Sequence, residues 1–257
     1  MTSDMLRRAL VALALAALVA SAAGCGGTLK ESEVGGVASY ERGKGEFDRE
    51  DWVDAIADLK AYVEQFPGTE KTDDALFYLG EAYFHTKDYV LASGQYDRLI
   101  RDFPTTPYHP DALFMLARCD DLQSRPAPLD QTETVRAISR YRDFLSLYAD
   151  HPKAQEARTR LTALSDRQAE KAFRNGRLYL RLKQWDAAGH YFEQVIHEYP
   201  ESRWSLDARV LLADAYVKTG REAEAADTLR AILNGTASSG TKREASKRLK
   251  KIERSTD

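Results

Sequence analysis

Between residues 38 and 236 small and aromatic residues recur with a fixed spacing of about 34 residues, within segments whose apolar positions follow a helical period. Each copy carries a small residue in a first helix, an alanine early in a second helix, and an aromatic residue followed by proline at the close. The most complete copy covers residues 73–104, with Leu79-Gly80, Tyr83, Tyr89, Ala92, Tyr96 and Phe103-Pro104. A second, over residues 169–200, has Gly176, Tyr179, Trp185, Ala188, Phe192 and Tyr199-Pro200. Three weaker copies keep the register: Gly43, Trp52, Ala55 and Phe66-Pro67 in the first unit, Ala117, Ala137 and Tyr148 in the third, Leu212-Ala213, Tyr216 and Ala225 in the fifth.

The pattern has a steric reading. Gly43, Gly80, Ala117, Gly176 and Ala213 lack bulk where a first helix must meet a second, and Ala55, Ala92, Ala137, Ala188 and Ala225 are the matching small contacts. A larger side chain at either place would overpack the pair, at about 1–3 kcal/mol. Rings fill the space around them, and Pro67, Pro104 and Pro200 stop the second helix because proline cannot continue it. This is the spacing of tetratricopeptide (TPR) repeats, so the expected fold is all-α, a superhelical solenoid of about five helix-turn-helix units. The third unit is interrupted by Ser124-Arg125-Pro126-Ala127-Pro128, a loop by composition.

The ends differ from the repeats. Arg7 and Arg8 precede an apolar run over residues 9–20, too short to span a bilayer but suited to an export signal. Ala22-Ala23-Gly24-Cys25 has the form of a bacterial lipobox, which makes residues 1–24 a signal peptide and Cys25 a lipidated N-terminus; Ala20-Ser21-Ala22 could also serve an ordinary signal peptidase, giving a soluble periplasmic product. Residues 25–37 then read as the lipidated cysteine and a flexible tether, 38–152 as repeats one to three, 153–236 as repeats four and five, and 237–257 as a basic C-terminal helix and tail. That helix is either a solvated cap or a contact for anionic lipid.

Composition narrows the function. With 43% hydrophobic and 30% charged residues the 257-residue chain folds, and a net charge of -3 gives no field to gather nucleic acid. Only Cys25 and Cys119 are present, so an acylated Cys25 leaves no internal disulfide, and Cys119 reads as a small buried hydrophobe. No nucleophile elbow, phosphate loop or zinc motif occurs, and His190 and His197 stand about 10 Å apart along a helix, too far to chelate one ion. Asp73-Asp74 and Asp120-Asp121 are expected at helix starts or in loops, where a carboxylate meets the positive end of the helix. No catalytic residue, no metal and no cofactor are therefore expected beyond a covalent lipid on Cys25. The chain reads as a binding scaffold, not an enzyme.

Two surfaces are candidates. Outward positions of the first helices carry Tyr40, Phe47, Phe77, Phe84 and Phe114, a stripe that could hold an extended aromatic peptide or could pack against the neighbouring repeat. In the fourth unit Arg174, Arg177 and Arg181 form a basic face, either a dock for an acidic partner or a solvated surface.

The lipobox, the five repeats and the string Leu129-Asp130-Gln131-Thr132 before Ala137-Ile138 and Tyr148 resemble the BamD family, lipoproteins of the outer-membrane β-barrel assembly machinery. The resemblance covers nearly the whole mature chain. It implies a lipid-anchored protein on the periplasmic face of the outer membrane, docking on a BamA-like barrel subunit and helping receive unfolded outer-membrane protein precursors. It also implies substrate contacts in the N-terminal repeats and BamA contacts in the C-terminal ones. Two features depart from the family: Ala22 stands where a lipobox usually has leucine, and His151-Pro152 falls three residues beyond the expected stop of the third repeat. The alternative is a TPR lipoprotein coordinating envelope or cell-wall enzymes, pilotin-like or peptidoglycan-related.

Overall fold

A computed structural model describes residues 27–256, so the signal segment and Cys25 lie outside the described residues. The described residues form eleven helices and no strand. They are α1 (Gly27–Asp48), α2 (Trp52–Gln65), α3 (Thr72–His85), α4 (Tyr89–Asp102), α5 (His109–Gln123), α6 (Thr132–Leu147), α7 (Ala154–Arg181), α8 (Trp185–Glu198), α9 (Ser205–Lys218), α10 (Glu222–Asn234) and α11 (Ser239–Thr256). The chain divides into two compact units at Ala112/Leu113.

In the first unit α1 packs on α2, α2 on α3 and α3 on α4. Gly80 decides the α3–α4 approach: a Cβ there would stand 2.6 Å from Cε1 of Tyr96, whose ring is fully buried. Gly43 does the same for α1 and α2, meeting Leu59 at 3.0 Å. In the second unit α6 packs on α7, and the contacts run on through α8, α9 and α10 to α11. Here Gly176 faces Phe192, with a Cβ again 2.6 Å from the ring. The five alanines expected on the second helices, Ala55, Ala92, Ala137, Ala188 and Ala225, are all fully buried. Each ring seated over such a small residue gains roughly 1.5–3 kcal/mol from burial.

The stops are more uniform than their prolines. Phe66, Phe103, Tyr148 and Tyr199 adopt nearly one backbone conformation, φ -125 to -135° and ψ 51 to 65°. Each N–H returns to the carbonyl four residues back; the carbonyls of Phe103, Tyr148 and Tyr199 accept from the N–H three residues on, and that of Phe66 accepts from the hydroxyls of Thr69 and Thr72. Tyr148 does this with no proline after it, so proline is an aid and not the cause. The turns inside the hairpins are equally uniform. Glu50, Lys87, Lys183 and Gly220 have φ of 57–75°, and in each case the next N–H reaches back five residues, to Glu46, Tyr83, Tyr179 and Tyr216. Three of these left-handed positions hold residues with a Cβ, at a cost a glycine would avoid.

Three expectations are corrected. The segment read as a tether is helical from Gly27, continuous with the first repeat helix, and Gly36 lets the Phe66 ring approach to 3.2 Å of a would-be Cβ. Helix α7 begins at Ala154 and runs 28 residues, about twice the length of a repeat helix, because Ala154, Ala157 and Leu164 extend its buried face backward with no glycine or proline before Gly176. Asp120-Asp121 lie in the last turn of α5, the negative end of the helix dipole, and are held by arginines instead.

Two outcomes follow for stability. Gly80→Ala lowers the urea midpoint through a loss of about 1–3 kcal/mol, whereas Gly94→Ala, in open space on α4, raises stability by about 0.5–1 kcal/mol. Lys183→Gly, relieving a φ of 57°, raises the thermal midpoint by a few degrees, equivalent to about 1 kcal/mol.

Candidate functional site

Two half-exposed regions, one in each unit, are built from residues that the repeat pattern singles out, and a polar cluster in the second unit explains the most specific string in the sequence.

In the first unit the ends of α1 and α3 carry a row of rings. Phe47 sits 5.2 Å from Trp52 and 5.0 Å from Tyr78, centroid to centroid. Trp52 stacks flat on His85 at 4.1 Å, and Phe77 stacks on Tyr108 at 4.5 Å while touching Tyr78 edge-on. The ammonium of Lys44 lies 4.4 Å over the Tyr78 ring, where the quadrupole attracts it. Phe47, Phe77, Phe84, Tyr78 and Tyr108 are half-buried, each leaving part of its ring to solvent. Burial raises the Tyr108 hydroxyl well above the usual phenol range, helped by its hydrogen bond to Tyr78 and by Asp74. Burial and Asp74 raise Tyr40 likewise. These phenols stay protonated and serve as donors, Tyr40 donating to Asp74 at 3.3 Å. The row can stack on and cover an apolar segment, with no group poised for proton transfer.

The expected stripe is therefore only partly present. Tyr40 is 5% exposed and packs on Tyr62, and Phe114 is 1% exposed in the core of the second unit against Tyr141 and Phe144. Both belong to the packing. A fixed repeat position does not guarantee exposure: in these copies rings on the second helix of the same hairpin cover it. Trp52, Tyr78, Tyr108 and His85 were missed: Tyr78 is one residue beyond the groove position of Phe77, Trp52 opens a second helix, and Tyr108 lies on a connection. Their aromatic character was the only available signal.

In the second unit Arg174, Arg177 and Arg181 are exposed along α7. Arg174 is engaged by Glu170 at 2.6 Å, and Glu170 also reaches Arg203 at 3.9 Å. Arg177 and Arg181 make no ion pair among the described residues, so the accessible charge of this face is theirs.

Asp130-Gln131-Thr132 has a structural role. Asp130 accepts from the N–H and hydroxyl of Thr132, the first residue of α6, at 3.3 and 3.0 Å, and these bonds hold its carboxyl below the usual range. Gln131 is buried, and its amide nitrogen reaches the carbonyls of Pro126 and Asp130 at 2.9 and 3.1 Å, closing the proline loop on itself. Its oxygen accepts from Gln168 on α7 at 3.1 Å, and Lys171 donates to the carbonyl of Leu129 at 3.0 Å. Nearby, Asp120 is 2% exposed between Arg136 at 3.2 Å and Arg140 at 2.6 Å. Burial raises its carboxyl despite the two cations. Asp121 accepts from Arg160 at 3.0 Å and Tyr141 at 3.2 Å, and Glu156 joins Arg118 and Arg160, both at 2.8 Å. The network ties α5, α6 and the first half of α7 together, and a buried pair of this kind is costly to break on one side.

Cys119 is fully buried, as expected. Among the described residues no group of three or more His, Cys, Asp or Glu could hold a metal, and no helix is long and apolar enough to cross a membrane.

The chain is 25% identical over 236 residues to the outer membrane protein assembly factor BamD of Haemophilus influenzae, covering 88% of this chain and 90% of that protein. It is 29% identical over 223 residues to the factor of the same name from Caulobacter vibrioides, covering 85% and 73%. Among solved structures it is similar to a tetratricopeptide repeat protein from Parabacteroides merdae, at 17% identity and a TM-score of 0.39, over 85% of this chain and 92% of that one. The YfiO family, described as an outer membrane lipoprotein, matches residues 35–231, from α1 through most of α10. With its repeated small-residue contacts in place across that span, the chain belongs to the YfiO family of outer membrane lipoproteins.

Proposed function

We propose that this protein is a lipid-anchored scaffold on the periplasmic face of the outer membrane that takes part in assembling β-barrel proteins into it. The observation that carries this reading is the relationship to assembly factors over 85–88% of the chain, on a fold built to hold partners. Cys25 lies outside both the described residues and the matched family span, and the lipobox Ala22-Ala23-Gly24-Cys25 supports acylation there. Acyl chains contribute about 0.8 kcal/mol per buried methylene, so two or more make a stable anchor.

The two regions divide the work. In the first unit the row Phe47, Trp52, Tyr78, Phe77 and Tyr108, together with Phe84, receives unfolded precursors by covering an extended aromatic segment. Rings held rigidly by one another lose little entropy on binding, which favours such a surface over flexible aliphatic side chains. In the second unit Arg177 and Arg181 present charge to an acidic patch of a BamA-like barrel subunit. Catalysis has no part in this: the chain holds its partners together.

Phe77→Leu with Tyr78→Leu keeps apolar volume and removes two rings. Affinity for an extended peptide with a C-terminal aromatic residue, read by fluorescence anisotropy, falls about 10-fold, in line with the loss of one or two ring contacts. Unchanged affinity in a variant with native circular dichroism contradicts a role for this row.

A further inference from the structure

Helix α11, Ser239–Thr256, lies beyond the span matched by the family. At about 100° per residue, its apolar side carries Ala245, Leu249 and Ile252. Ala245 and Ile252 are buried and Leu249 packs on the same core, so this side is fully used by the second unit. The opposite side holds Arg243, Lys247, Lys250, Lys251 and Arg254, which fall within an arc of roughly 100° and span about 16 Å along the axis. All five are exposed.

The acids around this side are already occupied. Glu244 accepts from Arg248 at 2.6 Å, and Asp214 takes the same guanidinium through both oxygens at 2.9 and 3.1 Å. Glu253 faces Arg230 at 3.9 Å. Arg243, Lys247 and Lys251 line one shallow cleft of about 600 Å³ with Gly240, and the only carboxylates in its lining are Asp214 and Glu244, both held by Arg248. The five outward cations form no ion pair among the described residues. The result is a concentrated positive field on a rigid helix.

From this we infer that the outward face of α11 is an electrostatic dock for the phosphate groups of an anionic phospholipid surface. The choice of a lipid surface over an acidic protein rests on what the face lacks. Stable protein interfaces are organised around aromatic or aliphatic anchors in a dry centre; α11 has no aromatic residue, and its three large or buried apolar side chains point inward. A row of cations with flexible stems and no apolar anchor suits a laterally mobile array of phosphates, which needs no shape complementarity. With the apolar side committed to the fold, α11 does not insert; it lies on the headgroups, and its binding is reversible and salt-sensitive. The inference rests on the outer-membrane location proposed above, and would hold the second unit near the membrane independently of the lipid on Cys25.

The test uses the full chain carrying Cys25→Ser, so that no acyl chain contributes, and sedimentation with vesicles of phosphatidylcholine with or without phosphatidylglycerol. The expected result is binding only to vesicles containing phosphatidylglycerol, abolished by high salt. Arg243→Gln with Lys247→Gln and Lys251→Gln lowers that partitioning about 100-fold with unchanged circular dichroism and thermal midpoint. Arg174→Gln with Arg177→Gln and Arg181→Gln, which removes the same charge from α7, leaves it within about threefold. Equal losses in the two variants would reduce the effect to net charge and overturn the assignment. So would binding to phosphatidylcholine alone, or retention by immobilised polyglutamate without vesicle binding. Recovery of assembly-machine partners is measured separately and does not depend on these outcomes, so failure here leaves the scaffold reading standing.

Discussion

The fold depends on one steric constraint: a residue without bulk on the first helix of a hairpin must lie under a large buried side chain from the second, Leu59 over Gly43, Tyr96 over Gly80 and Phe192 over Gly176. At Gly80 and Gly176 the clearance is so small that a single methyl group would fall 2.6 Å from Tyr96 or Phe192. This contact fixes how closely the helices approach and in what register, since sliding either helix by one residue brings a larger side chain under the ring. Everything peripheral follows from that register, including which face each first helix turns outward and where the hairpin turns and aromatic stops fall.

Much of this was legible in the sequence because the constraint is local and repeated. Small residues and rings at matching offsets identify five hairpins before any contact is seen, and Ala117 and Ala213 take the glycine position in the copies that tolerate a methyl group. What escaped was set by partners distant in sequence. The first half of α7 has no repeat signature, since it packs through Ala157 and Leu164 and through Arg160 and Glu156, which meet Asp121 and Arg118 on α5. Tyr40 and Phe114 occupy the same repeat position as Phe77 by period, three residues before the small residue, yet lie in the core, because rings on the paired helix cover them. The turns at Glu50, Lys87 and Lys183 adopt positive φ without glycine; the hydrogen bond reaching back five residues holds them there, and no residue type announces it.

The Asp130-Gln131-Thr132 string, on which the resemblance leaned, has a structural role. Its residues bond the start of α6, close a proline-containing loop and fasten it to α7, so they support the packing of the split repeat. The surfaces proposed for binding are the half-buried rings of the first unit, the outward arginines of α7 and the cationic side of α11. Their chemistries differ: stacking for an extended apolar segment, charge for an acidic protein patch, and diffuse positive potential for a phosphate surface.

The most direct test of this account is recovery of partners from detergent-solubilised envelopes through an affinity tag on the full chain, with proteins identified by mass spectrometry. An assembly scaffold brings down a large β-barrel protein with periplasmic domains in near-stoichiometric amount, and loses it when Arg177 and Arg181 are replaced by glutamate. Recovery of cell-wall or other envelope enzymes in its place, with no β-barrel partner, would contradict the central claim and favour a scaffold for a different machine.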